Sequence, residues 1–329
     1  MKFKIILSAA VLIVVFLLNL RFSENSDIIR LGVGNLCKWS PSGEYLSFTR
    51  NNQLMIYDVK SKSLDSLAPI FDTKYEWMSD SEIVVKQRNV KRDKNTTIVE
   101  ELFLRYSLNG TIDTMFAVTA TKSSYVKYNI RKLNGGKLCI SHDGYSTPDS
   151  LESMRGGKSL DSNNYYVISN YDYWQTRHWA QEKDDDIWLI RYDGYPFKRV
   201  TTGKTYRMPQ LSPDGKKIVC SSGRGMTILD LDGHVLGRFE SAEMESWLSD
   251  SENLVFTKVI EKDDDIVASD IYIADVTGNN EIKITDTPDK IELLPAVSPD
   301  RTMVAYISYE IDANYMEIIN IEGMLKRML

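Results

Sequence analysis

The chain has 329 residues, of which 43% are hydrophobic and 26% are charged, a composition typical of a globular protein with a substantial core. Its formal net charge is −6 and no basic patch or stripe stands out, so we exclude binding to a nucleic-acid backbone. The three cysteines, Cys37, Cys139 and Cys220, are too few and too widely spaced for a disulfide framework. We predict that all three are buried thiols in strands.

The N-terminal segment is apolar. Lys2 and Lys4 precede an uncharged run over residues 5–20, which as an α-helix would be roughly 24 Å long and could only just cross a bilayer. Two interpretations stay open for residues 1–22, an uncleaved signal-anchor helix and a cleaved signal peptide. Both predict an exported protein, either membrane-anchored by residues 5–20 or secreted or periplasmic after cleavage, with residues 23–30 as a linker.

A turn motif recurs along the rest of the chain. Each copy is a short apolar stretch, a turn similar to Ser-Pro-Asp-Gly and an alternating strand, which together are typical of a β-hairpin. The copies lie at residues 38–48, 76–85, 209–222, 246–256 and 295–308, with weaker ones at 131–141 and 158–169. On average they recur about every 43 residues, within the range of roughly 40–50 residues expected for a β-propeller blade.

A second motif is a strand that ends at a glycine turn and is followed by another short strand. It occurs at residues 102–110, 186–194, 226–233, 270–278 and 316–323, and it completes four antiparallel strands per repeat. The segments PQLSPDGKKIV, DIWLIRYDGYPFKRVT and DIYIADVTGNNEIKIT resemble the repeats of TolB-like β-propellers, the WD40-like PD40 repeat family. The resemblance covers the propeller part only, over residues 31–329.

We therefore predict an all-β propeller of four-stranded antiparallel blades, with seven blades preferred over six, preceded by an N-terminal hydrophobic helix. No other helix is expected. Residues 27–33 should add an outer strand to the last blade, which would close the ring and remove an exposed edge. The alternative outer strand is the segment MLKRML, residues 324–329.

Long insertions are predicted to be loops between the second and third strands of their blades, and all of them should lie on one face. They span residues 87–101, 170–186, 258–269 and 310–315. The second insertion is rich in aromatic and amphipathic side chains, which suit a peptide or a sugar ring. Packing against a neighbouring blade is the alternative role for these side chains, which are Tyr171, Tyr173, Trp174, His178 and Trp179.

The hexapeptide EKDDDI occurs twice, at residues 182–187 and 261–266. Consecutive carboxylates do not fit an EF-hand loop, so we predict acidic, solvated loops and no metal site. Aligned on the glycine turns, Asp186 corresponds to Asp270, so the two hexapeptides are out of register. Their acidic residues join the aromatic ones as candidate binding residues, namely Asp184, Asp185, Asp263 and Asp264.

No complete catalytic constellation is present, and the sequence contains no G-x-S-x-G motif. Oligogalacturonate lyases resemble this architecture and hold a metal mainly with histidines, but His234 is predicted on the opposite face from His142 and His178. We predict a non-enzymatic, membrane-associated module without a cofactor that binds a protein or peptide. The alternative is a carbohydrate-active enzyme, a polysaccharide lyase or glycoside hydrolase, that uses Asp172 and residues 184–186 on a glycan.

Overall fold

The computed structural model describes residues 28–70, 74–93, 96–121, 128–132, 138–142, 165–169, 186–191, 196–203, 206–223, 225–263, 265–287 and 290–328. The strands of the first half are β1 (Ile29–Val33), β2 (Asn35–Trp39), β3 (Tyr45–Arg50), β4 (Gln53–Asp58), β5 (Ser63–Pro69), β6 (Tyr75–Ser79), β7 (Glu82–Asp93), β8 (Thr96–Ser107), β9 (Ile112–Thr121), β10 (Tyr128–Lys132), β11 (Leu138–His142) and β12 (Tyr165–Ser169). Those of the second half are β13 (Ile187–Arg191), β14 (Pro196–Arg199), β15 (Arg207–Leu211), β16 (Lys217–Ser221), β17 (Gly225–Asp230), β18 (Val235–Glu240), β19 (Ala242–Trp247), β20 (Asn253–Lys262), β21 (Asp265–Asp275), β22 (Ile282–Lys283), β23 (Ile291–Val297), β24 (Met303–Tyr309) and β25 (Asn314–Asn320). A short helix, α1 (Glu322–Met328), follows the last strand.

The strands form antiparallel sheets in chain order, which we number from 1 to 7. Sheets 1, 2 and 5 are β2–β5, β6–β9 and β15–β18, each with four strands. The described parts of sheets 3 and 4 are β10–β11 and β12–β14. Sheet 6 (β19–β22) and sheet 7 (β23–β25 with β1) are joined by one parallel bridge, from Ser269 to Ile291. The predicted all-β fold of four-stranded antiparallel sheets is confirmed.

Apolar clusters join neighbouring sheets in the described part of the chain, between sheets 1 and 2, 4 and 5, 5 and 6, 6 and 7, and 7 and 1. The first strand of sheet 1, β2, lies beside the first strands of both sheet 2 (β6) and sheet 7 (β23). The cluster between sheets 7 and 1 contains Phe48 and Trp39 from sheet 1 with Ile307 and Met316 from sheet 7. Because the first and last sheets share a core, the sheets close into a ring, as expected for propeller blades.

Strand β1 links the N-terminal part of the described chain to the last sheet of this ring. It pairs antiparallel with β25, as predicted for residues 27–33, and the Nε of Arg30 donates a hydrogen bond of 2.8 Å to Oε1 of Glu317. The alternative outer strand at residues 324–329 is wrong, because residues 324–328 belong to α1. The prediction that no helix follows the N-terminal segment is wrong for the same reason.

Interactions within and around α1, which were not recognised in the sequence, account for this helix. The backbone N–H of Glu322 donates to the side-chain oxygen of Asn320 at 3.0 Å, which caps the first turn. Lys326 pairs with Glu322 one turn earlier at 2.8 Å, and Met324, Leu325 and Met328 pack against the core between sheets 6 and 7. The apolar spacing of this tail is therefore helical.

The turns that join the first and second strands of each sheet are held by side chains, as the Ser-Pro-Asp-Gly pattern predicted. Ser298 donates to Asp300 at 2.5 Å and accepts the N–H of Met303 at 3.0 Å. The guanidinium of Arg301 donates to Asp250, in the corresponding turn of the preceding sheet, at 3.0 Å. The face of the ring that carries these turns, for example residues 40–44, 212–216 and 298–302, is called the turn face below.

Two insertions predicted to be loops are strands instead. Strands β7 and β8 pair continuously from Glu82–Ser107 to Asp93–Thr96, so residues 87–93 and 96–101 form the arms of a hairpin rather than a loop. Strands β20 and β21 likewise pair as far as Lys262 and Asp265. Both hairpins extend from the face opposite the turn face, so the predicted location of the insertions is retained although their structure was misjudged.

Three further predictions concern the N-terminal segment, the linker and the cysteines. Residues 1–22 lie outside the described ranges, and within those ranges no helix is long and apolar enough to span a bilayer. Strand β1 begins at Ile29, in the last residues of the predicted linker. Cys37 is half-buried and Cys220 is buried, both as free thiols in strands, and Cys139 lies in β11.

Candidate functional site

The face opposite the turn face carries the connections between second and third strands, and we call it the hairpin face. Its two long hairpins are β7–β8 and β20–β21. Several exposed apolar side chains lie along them, two on each hairpin: Val90, Ile98, Ile260 and Val267. Because a solvated hairpin needs no apolar side chains for its own pairing, these residues offer a contact surface.

At the same end, four first strands contain an unusual backbone feature. A large apolar residue has a positive φ, between 46° and 56°, where its strand shifts register against the second strand. This left-handed conformation costs a non-glycine residue about 1–2 kcal/mol, and bulges of this kind redirect side chains. We call them the inner apolar residues; they are Leu36, Met208, Met244 and Leu294.

Burial of the side chains does not offset the conformational cost of the inner apolar residues. Met208 is 64% exposed, Leu36 and Leu294 are also exposed, and Met244 is half-buried. Each lies in the first strand of its sheet, which pairs with its own sheet along one edge only. Four strained and solvent-accessible apolar side chains therefore surround the centre of the hairpin face, where backbone strain is a reason to suspect a function.

Side-chain bonds between neighbouring first strands fix these positions. Three of the inner apolar residues are followed, two positions later, by a polar residue whose side chain contacts the first strand of the neighbouring sheet. Lys38 pairs with Glu76, and Gln210 donates to Glu245 at 3.2 Å. The third, Ser246, accepts the N–H of Val297 at 3.2 Å. Two of these bonds, Gln210–Glu245 and Ser246–Val297, join strands that both carry inner apolar residues, which favours a preformed binding surface.

A pocket of about 350 Å³ adjoins Met244 on this face. It lies between the start of β19 and the extended part of β20, and Ser241, at its edge, has a φ of 55°. Two carboxylates and two aliphatic side chains line it together with Ser241, namely Glu243, Glu261, Val259 and Ile260. Such a lining suits a cation carried on an aliphatic chain, as in a lysine or arginine side chain.

Most of the binding residues predicted from sequence lie outside the described residues. These are Tyr171, Tyr173, Trp174, His178, Trp179, Asp184, Asp185 and Asp264. Asp263 is described, and it lies exposed at the tip of the β20–β21 hairpin with a φ of 52°. The inner apolar residues and the acidic pocket were not predicted.

Asp186, a carboxylate named for the enzyme alternative, has a structural role. It is fully buried, where it accepts hydrogen bonds from Thr201 Oγ1 at 3.0 Å and Gly203 N at 3.2 Å and pairs with Arg199. The N–H of Ile187 in turn donates to Thr201 Oγ1 at 2.8 Å. These bonds fasten the start of β13 to the segment after β14.

The same arrangement recurs at Asp270, as the alignment on glycine turns predicted. Asp270 accepts the N–H of Thr287 at 3.0 Å and pairs with Lys283 at 2.8 Å, and Ile271 N donates to Thr285 Oγ1 at 2.9 Å. The backbone donor lies 17 residues after the aspartate in both sheets. The two EKDDDI copies are therefore out of register, and Asp186 belongs to a repeated structural clamp.

The histidines do not meet at one site among the described residues. His142 ends β11, whereas His234 lies on the turn face, where its Nδ1 is 2.9 Å from Asp230 Oδ2. With Asp232 these two side chains place potential ligand atoms within 4.8 Å of one another, and His234 and Asp232 are exposed. A weak surface contact with a cation is all that this group supports.

The chain is similar in structure to several solved proteins. One is a TolB candidate from Agrobacterium tumefaciens, with 15% identity, a TM-score of 0.43 and coverage of 88% of this chain and 90% of that chain. An oligogalacturonate lyase from Vibrio parahaemolyticus has 10% identity, a TM-score of 0.40 and coverage of 89% and 79%. A chain of a mitotic checkpoint complex has 13% identity, a TM-score of 0.47 and coverage of 89% and 90%.

No family model and no curated protein matches the chain. Because propellers of one architecture carry many unrelated activities, function has to be argued from the site.

Proposed function

We propose that the seven sheets are the blades of a single propeller, and that this propeller is a binding or scaffold module without catalytic activity. Its hairpin face would hold a protein or peptide segment that combines apolar and basic side chains. The observation that carries the proposal is the set of inner apolar residues, which are strained and, apart from the half-buried Met244, exposed. An exposed apolar patch that costs conformational energy has its simplest explanation in a partner that covers it.

The chemistry of the face supports the class of partner. Two of the four inner apolar residues are methionines, whose flexible side chains adapt to different apolar partners. The adjoining pocket contains Glu243 and Glu261, and Asp263 and Asp265 are exposed near the tip of the β20–β21 hairpin. Together with the net charge of −6, this favours a basic segment over an acidic one.

We also propose that the protein is exported and that residues 1–22 hold it at a membrane. The support is the uncharged run over residues 5–20 preceded by Lys2 and Lys4. In this arrangement the propeller recruits its partner at the membrane surface. The aromatic residues of segment 170–186 remain predicted contacts on the same face.

The proposal can be tested with defined peptides and the full chain in detergent micelles. Fluorescence anisotropy would compare labelled peptides of about 12 residues that alternate lysine with leucine or glutamate with leucine. We expect the lysine peptide to bind more tightly. The double substitution Met208→Ser with Leu294→Ser should then weaken its binding at least about tenfold, roughly 1.4 kcal/mol.

Matched controls separate the face from general hydrophobicity. Val235 is exposed on the turn face, so Val235→Ser should leave peptide binding unchanged. Glu243→Gln should weaken only the lysine peptide. Equal binding by the double variant and the wild type would refute the proposal, as would turnover of a polysaccharide that disappears with hairpin-face substitutions.

A further inference from the structure

A second site, independent of the hairpin-face proposal, lies between sheets 6 and 7. Six side-chain oxygens in this region are buried and make no hydrogen bond of regular geometry within the described residues. Two belong to the fully buried carboxylate of Glu292 and one is Oε2 of Glu317. The other three are the hydroxyls of Tyr306, Ser308 and Thr287. Buried polar atoms without partners are rare, so such a concentration requires an explanation.

The strand register places four of these residues on one surface. Glu292 of β23 is paired with Ser308 of β24, and Tyr306, two residues earlier on β24, is paired with Glu317 of β25. Directly paired residues and residues two apart share a face of an antiparallel sheet. This face packs on sheet 6, because Tyr306 belongs to the same apolar cluster as residues of β21, and Ser269 Oγ donates to the Glu292 carbonyl at 2.8 Å.

The surrounding charges leave Glu292 without a counter-ion. Lys283 pairs with Asp270 and Asp286, on the sheet 6 side of the cluster. On the outer side Arg30 and Lys290 both contact Glu310 and Oε1 of Glu317. Within the described residues no ion pair reaches Glu292. Lys283 is shared by two carboxylates, and so are Arg30 and Lys290, so none of these three cations is left to neutralise Glu292.

Glu292 is fully buried, beside the hydroxyls of Thr285 and Thr287 and the carboxylates of Asp270 and Glu317. An ionised carboxylate is therefore costly here unless a positive charge joins it.

We propose that this cluster binds one hard divalent cation of the Ca²⁺ class, with Glu292 and Glu317 as the carboxylate ligands. Tyr306, Ser308 and Thr287 would supply neutral hydroxyl oxygens. A donor set made only of oxygens, with two carboxylates, matches the preference of Ca²⁺ rather than that of softer transition metals. The bound ion would stiffen the contact between the last two sheets.

The experiment uses the full chain after treatment with a chelator. Thermal unfolding would be followed with and without CaCl₂, and Tb³⁺ would be titrated with excitation of tyrosine, because Tyr306 would sensitise a nearby lanthanide. We expect Ca²⁺ to raise the Tm by about 3 °C, since ligand binding to the folded state alone stabilises it. Glu292→Gln should abolish the Ca²⁺ response and weaken Tb³⁺ binding at least about tenfold.

Two comparisons keep the test decisive. Asp232→Asn disrupts the surface group of Asp230, Asp232 and His234, and it should leave the Ca²⁺ response intact. Glu292→Gln removes only a charge, so its own Tm without Ca²⁺ should equal or exceed that of the calcium-free wild type. An unchanged Tm of the wild type in CaCl₂, or an equal response in Glu292→Gln, would overturn the proposal and leave a buried protonated carboxyl.

Discussion

The two faces of the ring are built on opposite principles. On the turn face, polar side chains bind the backbone of their own turn, as Ser298 and Asp300 do, and adjacent turns are joined by bonds such as Arg301 to Asp250. A Cβ at Gly233 of this face would lie 2.2 Å from the carbonyl oxygen of Val200 in the preceding sheet, so even its backbone is closely packed. On the hairpin face, apolar side chains such as Met208 and Leu294 are exposed, and four residues, including the half-buried Met244, are held in strained conformations.

This difference indicates where the protein can change. The described turns of the turn face satisfy their own hydrogen bonds and connect neighbouring sheets. The hairpin face carries strain and exposed apolar area that a partner could offset, while buried clamps at its base keep the strands in place. Stability and binding should therefore respond differently to substitutions on the two faces.

The largest effect is expected for Asp186, the buried clamp at the base of the hairpin face. Asp186→Ala removes acceptors for Thr201, Gly203 and Arg199, and should lower the free energy of unfolding by about 3 kcal/mol. Asp232→Ala, which removes an exposed partner of Lys198 on the turn face, should cost less than about 0.5 kcal/mol. Urea denaturation measures both, and equal losses would contradict the role of the clamp.

A smaller effect of opposite sign is expected for the inner apolar residues. Asparagine tolerates the left-handed conformation better than methionine, so Met208→Asn should raise the free energy of unfolding by about 0.5–1 kcal/mol. It should also weaken peptide binding. Lys62→Asn on the turn face, where φ is 56°, should stabilise similarly without an effect on binding. If Met208→Asn leaves binding intact, the strain has no link to the proposed function.

The smallest effect should separate the faces by pH. Burial alone would raise the pKa of Asp300, but hydrogen bonds from Ser298 and Thr302 hold it below its usual value. A carboxyl with a lowered folded pKa stabilises the protein above its unfolded pKa of about 4, and this contribution is lost as the pH falls. Asp300→Asn should flatten the decline in Tm below about pH 4 by the equivalent of less than about 1 kcal/mol. An unchanged slope would show that the turn does not titrate.

The sequence was sufficient for the turn face because its chemistry is local. Serine, aspartate and glycine within a few residues form the same turn wherever they occur, so the repeats and the closing strand β1 could be predicted. The two hairpins were predicted to be loops because a hairpin that projects into solvent exposes both of its faces to water. Polar residues such as Lys91 and Arg92 on both faces hide the alternation that usually identifies a strand.

The inner apolar residues and the cluster around Glu292 could not be predicted. Leucine and methionine avoid positive φ, and the register imposed by the second strand sets that conformation at Leu36 and Met208. In β23, the segment IELLPAV suggests an exposed acid between apolar residues, yet Glu292 is fully buried because sheet 6 covers its face. Both features depend on contacts between sheets that are distant in sequence.

The pairing of β1 with β25 has a consequence for the order of assembly. Arg30 and Glu317 are 287 positions apart, so the outer edge of the last sheet is supplied by a segment that is synthesised long before the strand it pairs with. Until β25 has been synthesised, β1 has no partner strand and the ring stays open. A partner that needs the complete hairpin face can therefore bind only after the last sheet has been translated.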